Sequence, residues 1–180
     1  IDSAEVAKTT FERQADIVII SEMAAKDAAT AIEKLVKWLG DAETVANGLQ
    51  AIISVKLIRK LCTSCREAFR PNPKLVRKIG LPKKTKTLYR PPQPDEEDDE
   101  DEFIPCRKCG DIGYYGRTGL FEMIEMTDEM RKQVIAGESP ADLRLLARDE
   151  KMPTFQGEGL RLVAEGITSL DELQRTLKKK

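Results

Sequence analysis

The sequence predicts a mixed α/β chain with a small cysteine-built module inside it and helices towards its carboxyl end. Three observations predict this. A β-branched run, Ile17-Val-Ile-Ile20, is followed by two stretches of helical apolar spacing. Two Cys-x-x-Cys pairs, Cys62-Thr-Ser-Cys65 and Cys106-Arg-Lys-Cys109, contain all four cysteines. Beyond Thr127 the sequence repeats helix-start signals. The reading divides the chain into residues 1–61, an α/β piece; 62–116, the cysteine module with a charged insert; and 117–180, a strand followed by helices.

Asp2-Ser-Ala-Glu-Val-Ala7 reads as a helical turn, and Ile17–Ile20 as a short buried strand. The segment from Asp27 to Leu39 places Ala28, Ala31, Ile32, Leu35 and Leu39 on one helical face, and Gly40 stops it. Thr44 to Leu61 reads as a second helix, with Val45, Leu49, Ile52, Ile53, Leu57 and Leu61 at helical spacing. Both stripes read as core. One strand cannot make a sheet, so partner elements are expected outside this chain, which also begins at Ile1 rather than Met. A short helix is expected around Leu75–Ile79 and a strand from Tyr114 to Met126. Thr127, with Asp128 and Glu129 behind it, caps a helix. Ser139-Pro140 opens the next, Thr154–Glu165 forms another, and Ser169-Leu-Asp-Glu172 is a capping box for the last.

A Cys-x-x-Cys turn aims two thiolates at one point, and two such turns supply the four soft ligands that suit tetrahedral zinc. The chain has no histidine, so a mixed Cys/His site is excluded. Cys62, Cys65, Cys106 and Cys109 are therefore the expected zinc ligands. Four protein ligands leave no open position on the metal, so the site is expected to be structural. Two disulfides would need an oxidising compartment, and a thioredoxin-like centre uses one such pair rather than two.

The net charge of −1 hides a local asymmetry. From Arg66 to Arg90 there are nine basic residues against one acid, Glu67; from Asp95 to Glu102 there are eight consecutive acids. Like charges repel and offer nothing apolar to bury, so Pro91–Glu102 is expected to be a mobile solvated loop. No apolar run approaches the roughly 20 residues of a membrane span, and no secretory leader is read, so a cytoplasmic location is expected. There is no GxxxxGK[ST] motif to cradle phosphate. The lone GxG, Gly157-Glu-Gly159, falls inside a helical pattern. Glu22 is the one carboxylate at a strand-end position, where an exposed loop acid is the simpler reading.

Several stretches together carry a resemblance. They are Lys26-Asp-Ala-Ala-Thr-Ala-Ile-Glu-Lys-Leu-Val36, Val55-Lys-Leu-Ile-Arg-Lys-Leu-Cys-Thr-Ser-Cys65, Cys106-Arg-Lys-Cys-Gly110 with Gly113-Tyr-Tyr-Gly-Arg-Thr-Gly-Leu-Phe-Glu122, and Glu158-Gly-Leu-Arg161 with Glu165-Gly-Ile-Thr-Ser-Leu-Asp-Glu172. In order and spacing these resemble the carboxy-terminal part of the secretion and pilus assembly ATPases that drive type II secretion and type IV pilus extension. The resemblance runs from about Asp2 to Leu177. It implies a hexameric, RecA-like enzyme using ATP and magnesium, of which residues 1–61 would be the last piece of the ATPase domain. Inner-membrane platform components of the machine would be its partners. Ile17–Asp27 resembles the strand and loop of the family's His box. Ser21 and Asp27 match that pattern, but Ala24 stands where the histidine falls and Lys26 where an asparagine is usual. The spacer between the cysteine pairs is long for the family.

Two functions are weighed. The first is a zinc-stabilised structural and docking region of a motor ATPase, which alone neither binds nor hydrolyses ATP. The second is a zinc-ribbon nucleic-acid-binding module, resting on the basic stretch Arg66–Arg90. Few aromatics there (Phe69, Tyr89) and the adjacent acids speak against the second, and no nucleic-acid partner is expected.

Overall fold

The computed structural model describes residues 1–14, 17–82, 85–93 and 105–178. In chain order the elements are α1 (Ala4–Arg13), α2 (Ala28–Leu39), α3 (Ala42–Gly48), β1 (Ala51–Leu61), β2 (Glu67–Phe69), α4 (Pro73–Ile79), β3 (Leu88–Arg90), β4 (Tyr114–Glu125), α5 (Asp128–Ile135), α6 (Pro140–Asp149), α7 (Phe155–Ala164) and α8 (Leu170–Leu177). The fold is thus mixed helix and sheet, with helices dominating the carboxyl third. β1 pairs with β4, and β2 with β3. The chain forms two compact units: Ile1–Val55 with Phe121–Thr154, and Lys56–Leu120 with Phe155–Lys180.

In the first unit, α1 starts where the Ser3 hydroxyl accepts from the Val6 amide. α2 starts at Asp27, whose carboxylate accepts from the Thr30 amide at 2.9 Å, and ends at Gly40 with φ 73°. The expected face of α2 is buried at Ala28, Ala31, Ile32 and Leu35, while Leu39 is only half-buried. These side chains pack with Phe11, Val45, Met130 and Leu143. Thr127 caps α5 and Ser139 caps α6, as the sequence predicts.

Two expectations fail. The helix expected over Thr44–Leu61 is a short helix, α3, followed by the long strand β1. Leu49, Ile53, Leu57 and Leu61 recur every four residues, and that spacing fits a period of two as well as one of 3.6. The β-branched cluster Ile52-Ile-Ser-Val55 then favours the strand, because branching at Cβ restricts χ1 in a helix. Along β1, Ile53, Val55 and Leu57 alternate outward and are 62%, 55% and 61% exposed. The second failure is Ile17–Ile20, which is not a strand here; Val18 and Ile20 are 94% and 95% exposed. A strand is a pairing relation, and no strand among the described residues supplies its ladder.

In the second unit, β2 and β3 pair antiparallel with Ala68 opposite Tyr89. α4 begins at Asn72-Pro73, a cap and a proline at the first helical position, and covers the short helix expected there. Ile58, Leu88, Leu120, Leu162, Val163 and Leu173 form the core. The acidic run Asp95–Glu102, with Lys83 and Lys84 of the basic stretch, lies outside the described residues.

Candidate metal centre

Both cysteine pairs lie in the second unit. Cys62 follows the last residue of β1, and Cys106–Cys109 precede β4. Each pair sits in a tight turn. The Arg66 amide donates to the Cys62 carbonyl at 2.9 Å, and the Gly110 amide to the Cys106 carbonyl at 2.8 Å. The two turns are tied together by the Cys62 amide donating to the Gly113 carbonyl at 2.9 Å and by Lys108 Nζ donating to Thr63 Oγ1 at 2.8 Å. Asp111 turns back on the second knuckle, where its carboxylate accepts from the Cys106 amide at 2.6 Å. Gly113 has φ 72°, and a Cβ there would meet Pro91 Cβ at 2.5 Å, so the residue is held to glycine both by backbone conformation and by crowding.

The four Sγ atoms lie within 4.8 Å of one another. Cys62 Sγ is 3.9 Å from Cys106 Sγ, and Cys65 Sγ is 3.5 Å from Cys109 Sγ. A tetrahedron with zinc–sulfur bonds of about 2.3 Å has sulfur–sulfur edges of about 3.8 Å. Disulfides would bring paired sulfurs to about 2.05 Å, and all four cysteines are free thiols. The residues therefore fit a four-thiolate metal site. Burial opposes ionisation of Cys62, but the Ser64 amide and the neighbouring thiols outweigh it and bring its pKa down to about 7. Burial and the adjacent sulfurs push Cys65 strongly upward. Thiols packed this closely cannot all hold negative charge unaided, and a divalent cation at their centre removes that conflict.

The residues of the resembled His box lie in the first unit. Ala24 is exposed, and its carbonyl accepts from Lys34 Nζ at 3.0 Å; its methyl group offers no proton donor or acceptor. Glu22 is exposed, and its carbonyl accepts from the amino terminus. Asp27 is buried and fully engaged. It caps α2, accepts from Thr30 Oγ1 at 2.6 Å and forms a forked ion pair with Arg144 of α6, Nη2 to Oδ2 at 3.0 Å. Burial would raise its pKa; the Thr30 hydroxyl and amide and the Arg144 guanidinium overcome that and lower it.

Residues of the basic stretch are partly spent on the fold itself. Arg66 donates to the Gly166 carbonyl and lies 4.2 Å over the Tyr89 ring. Arg90 pairs with Glu67 at 3.2 Å and lies over Phe69. The two aromatics of this stretch are each covered by a guanidinium.

One buried charged cluster escaped the sequence reading. Glu172, taken as the acid of a capping box, does not reach back to Ser169. Its carboxylate is buried and takes hydrogen bonds from the Arg59 amide and guanidinium and from Arg175. The serine half of the box holds, with Ser169 Oγ accepting from the Glu172 amide at 3.1 Å. Arg175 three residues on was the only local hint.

The fold and the site together define a mixed α/β chain whose four thiols lie close enough to share one metal ion. The chain belongs to the Type II/IV secretion system protein family, which it matches over residues 12–175. It is 29% identical over 182 residues to the type IV pilus assembly ATPase PilB of Thermus thermophilus, covering 98% of this chain and 19% of that protein. It is 27% identical over 158 residues to the type II secretion system protein HxcR of Pseudomonas aeruginosa, covering 88% of this chain and 28% of that one. Against type II secretion system protein E of Dickeya dadantii it is 28% identical over 161 residues, covering 89% and 30%. The chain thus spans less than a third of the length of these relatives.

Proposed function

We propose that this chain is the zinc-stabilised structural and docking region of a motor ATPase that powers type II secretion or type IV pilus assembly. The observation that carries the reading is the convergence of Cys62, Cys65, Cys106 and Cys109 within a chain of this family. Zinc held by these four thiolates would tie the end of β1 to the start of β4 and supply folding energy rather than chemistry. Catalysis belongs to the parent protein: ATP and magnesium would bind there, in a hexamer working at the cytoplasmic face of the inner membrane against platform components. In this chain the His-box position is Ala24, and Asp27 is occupied as a helix cap and ion-pair partner of Arg144. The chain alone is therefore inert towards ATP.

Elemental analysis and an ATPase assay on the purified chain test this together. One zinc per chain, no phosphate release above background, and no ATP binding tighter than about 1 mM, or roughly 4 kcal/mol, are expected. A metal-free chain that still unfolds cooperatively would overturn the zinc assignment. Measurable hydrolysis would overturn the division of labour.

A further inference from the structure

Within the second unit, Leu57, Arg59, Arg117 and Arg175 line a pocket of about 360 Å³ that is open to solvent. Arg59 and Arg175 share one counter-ion, the buried Glu172. Its oxygens take the Arg59 amide at 3.2 Å, Arg59 Nη2 at 2.6 Å, Arg175 Nε at 2.6 Å and Arg175 Nη2 at 2.7 Å. Four donors fill the lone pairs of one carboxylate. Arg59 Nε is buried without a hydrogen-bond partner. Arg117, from the Gly116-Arg-Thr-Gly119 stretch of β4, is exposed, and no hydrogen bond or ion pair engages its guanidinium among the described residues. Three guanidiniums against one carboxylate leave the pocket with a net charge of +2.

We propose that this pocket is a docking site for an acidic segment of a partner protein, whose carboxylates are held by Arg117 and by the free edges of Arg59 and Arg175. The guanidiniums of Arg59 and Arg175 already hold one carboxylate, so the geometry suits that group. The Arg117 guanidinium has no partner in the fold among the described residues, and arginine is of the type enriched in protein interfaces. The shape favours a protein over a small anion. Small-ligand sites enclose about 70–90% of their ligand, whereas this pocket is open and has Leu57, 61% exposed, on its wall. An acidic segment with apolar residues between its carboxylates covers both features. The inference goes beyond the docking role proposed above by naming the surface and the chemistry of what it receives.

The test uses the full chain with its metal and a fluorescein-labelled peptide alternating glutamate with leucine, read by fluorescence anisotropy. Arg117→Gln is expected to weaken binding about tenfold, the scale of one charge-assisted hydrogen bond, and Arg117→Glu to weaken it further. The double variant Lys74→Gln/Arg77→Gln, in the basic stretch but outside the pocket, is expected to stay within about twofold of the parent. Zinc content and circular dichroism of each variant separate a lost charge from a lost fold, and so from failure of the zinc reading. Binding unaffected by Arg117→Gln would overturn the proposal. So would an equal loss in the double variant, displacement of the peptide by equimolar inorganic phosphate, or tighter Arg117-dependent binding of a single-stranded oligonucleotide.

Discussion

The carboxylate of Glu172 on α8 lies 2.6 Å from Nη2 of Arg59 on β1, 113 residues earlier in the chain. Glu172 is 1% exposed, and a single unpaired charge at that depth would be severely destabilising. The pair therefore fixes where α8 meets β1 within the second unit. Its surroundings reinforce it: Thr168 Oγ1 donates to the Arg59 carbonyl at 2.8 Å, and the Arg59 guanidinium lies 4.1 Å over the Tyr114 ring.

Glu172→Gln should accordingly destabilise the second unit by about 3 kcal/mol, because it leaves the Arg59 and Arg175 guanidiniums facing a neutral amide. Urea unfolding followed by circular dichroism measures this. A loss below about 1 kcal/mol, the scale of a surface pair, would show that the carboxylate is solvated in the folded protein.

The same carboxylate sets an acid limit. Burial alone would raise its pKa; the hydrogen bonds from Arg175 and Arg59 prevail and hold it at about 2. A carboxyl group with a depressed folded-state pKa contributes stability above its unfolded value, about 4.3. That stability is lost as pH falls from there through the folded value. Thermal unfolding should therefore show a midpoint that drops between about pH 4.5 and pH 2, with a weaker drop in Glu172→Gln. Identical pH profiles for the two proteins would contradict the assignment.

Removing zinc from the proposed four-thiolate site should act on one unit. The four cysteines and the residues around them belong to Lys56–Leu120 with Phe155–Lys180. Cys62→Ser, or a strong chelator, is expected to collapse amide protection between Cys62 and Gly119 more than in α7 and α8. The core of Ile32, Leu35, Val45 and Met130 in the other unit should keep its protection. Hydrogen exchange resolves this, and uniform loss across both units would contradict it.

How far these features could be read beforehand follows from what each depends on. The convergence of the four thiols was legible because the spacing of Cys62, Cys65, Cys106 and Cys109 encodes the turn itself. The caps at Thr127, Ser139 and Ser169 were legible because a cap acts on amides two or three residues away. β1 was not, since Leu49, Ile53, Leu57 and Leu61 satisfy both periods. The Ile17–Ile20 run has strand composition, but composition cannot supply a neighbouring strand. Glu172 was misread because its partner Arg59 is distant in sequence, and the local pattern offered a sufficient explanation of its own.

Gly159 shows how a motif without chemistry can still be constrained. It belongs to Gly157-Glu-Gly159, which sits in α7 and cradles no phosphate. A Cβ at residue 159 would lie 2.2 Å from Cδ1, 3.0 Å from Cδ2 and 3.1 Å from Cγ of Leu173 on α8. Leu173 is 3% exposed, so its side chain has no solvent to swing into. Two effects of Gly159→Ala oppose each other. Helix propensity improves by about 1 kcal/mol; overpacking of a filled core costs about 1–3 kcal/mol. The contact distances place the second at the upper end, so a net loss of about 1–2 kcal/mol is expected. A double-mutant cycle isolates the cause. Leu173→Ala opens the space, so adding Gly159→Ala to it should be neutral or stabilising by up to about 1 kcal/mol, a coupling of the size seen between contacting residues. Denaturant unfolding of the four proteins gives the coupling directly; additive effects would mean that α7 and α8 do not approach at this glycine.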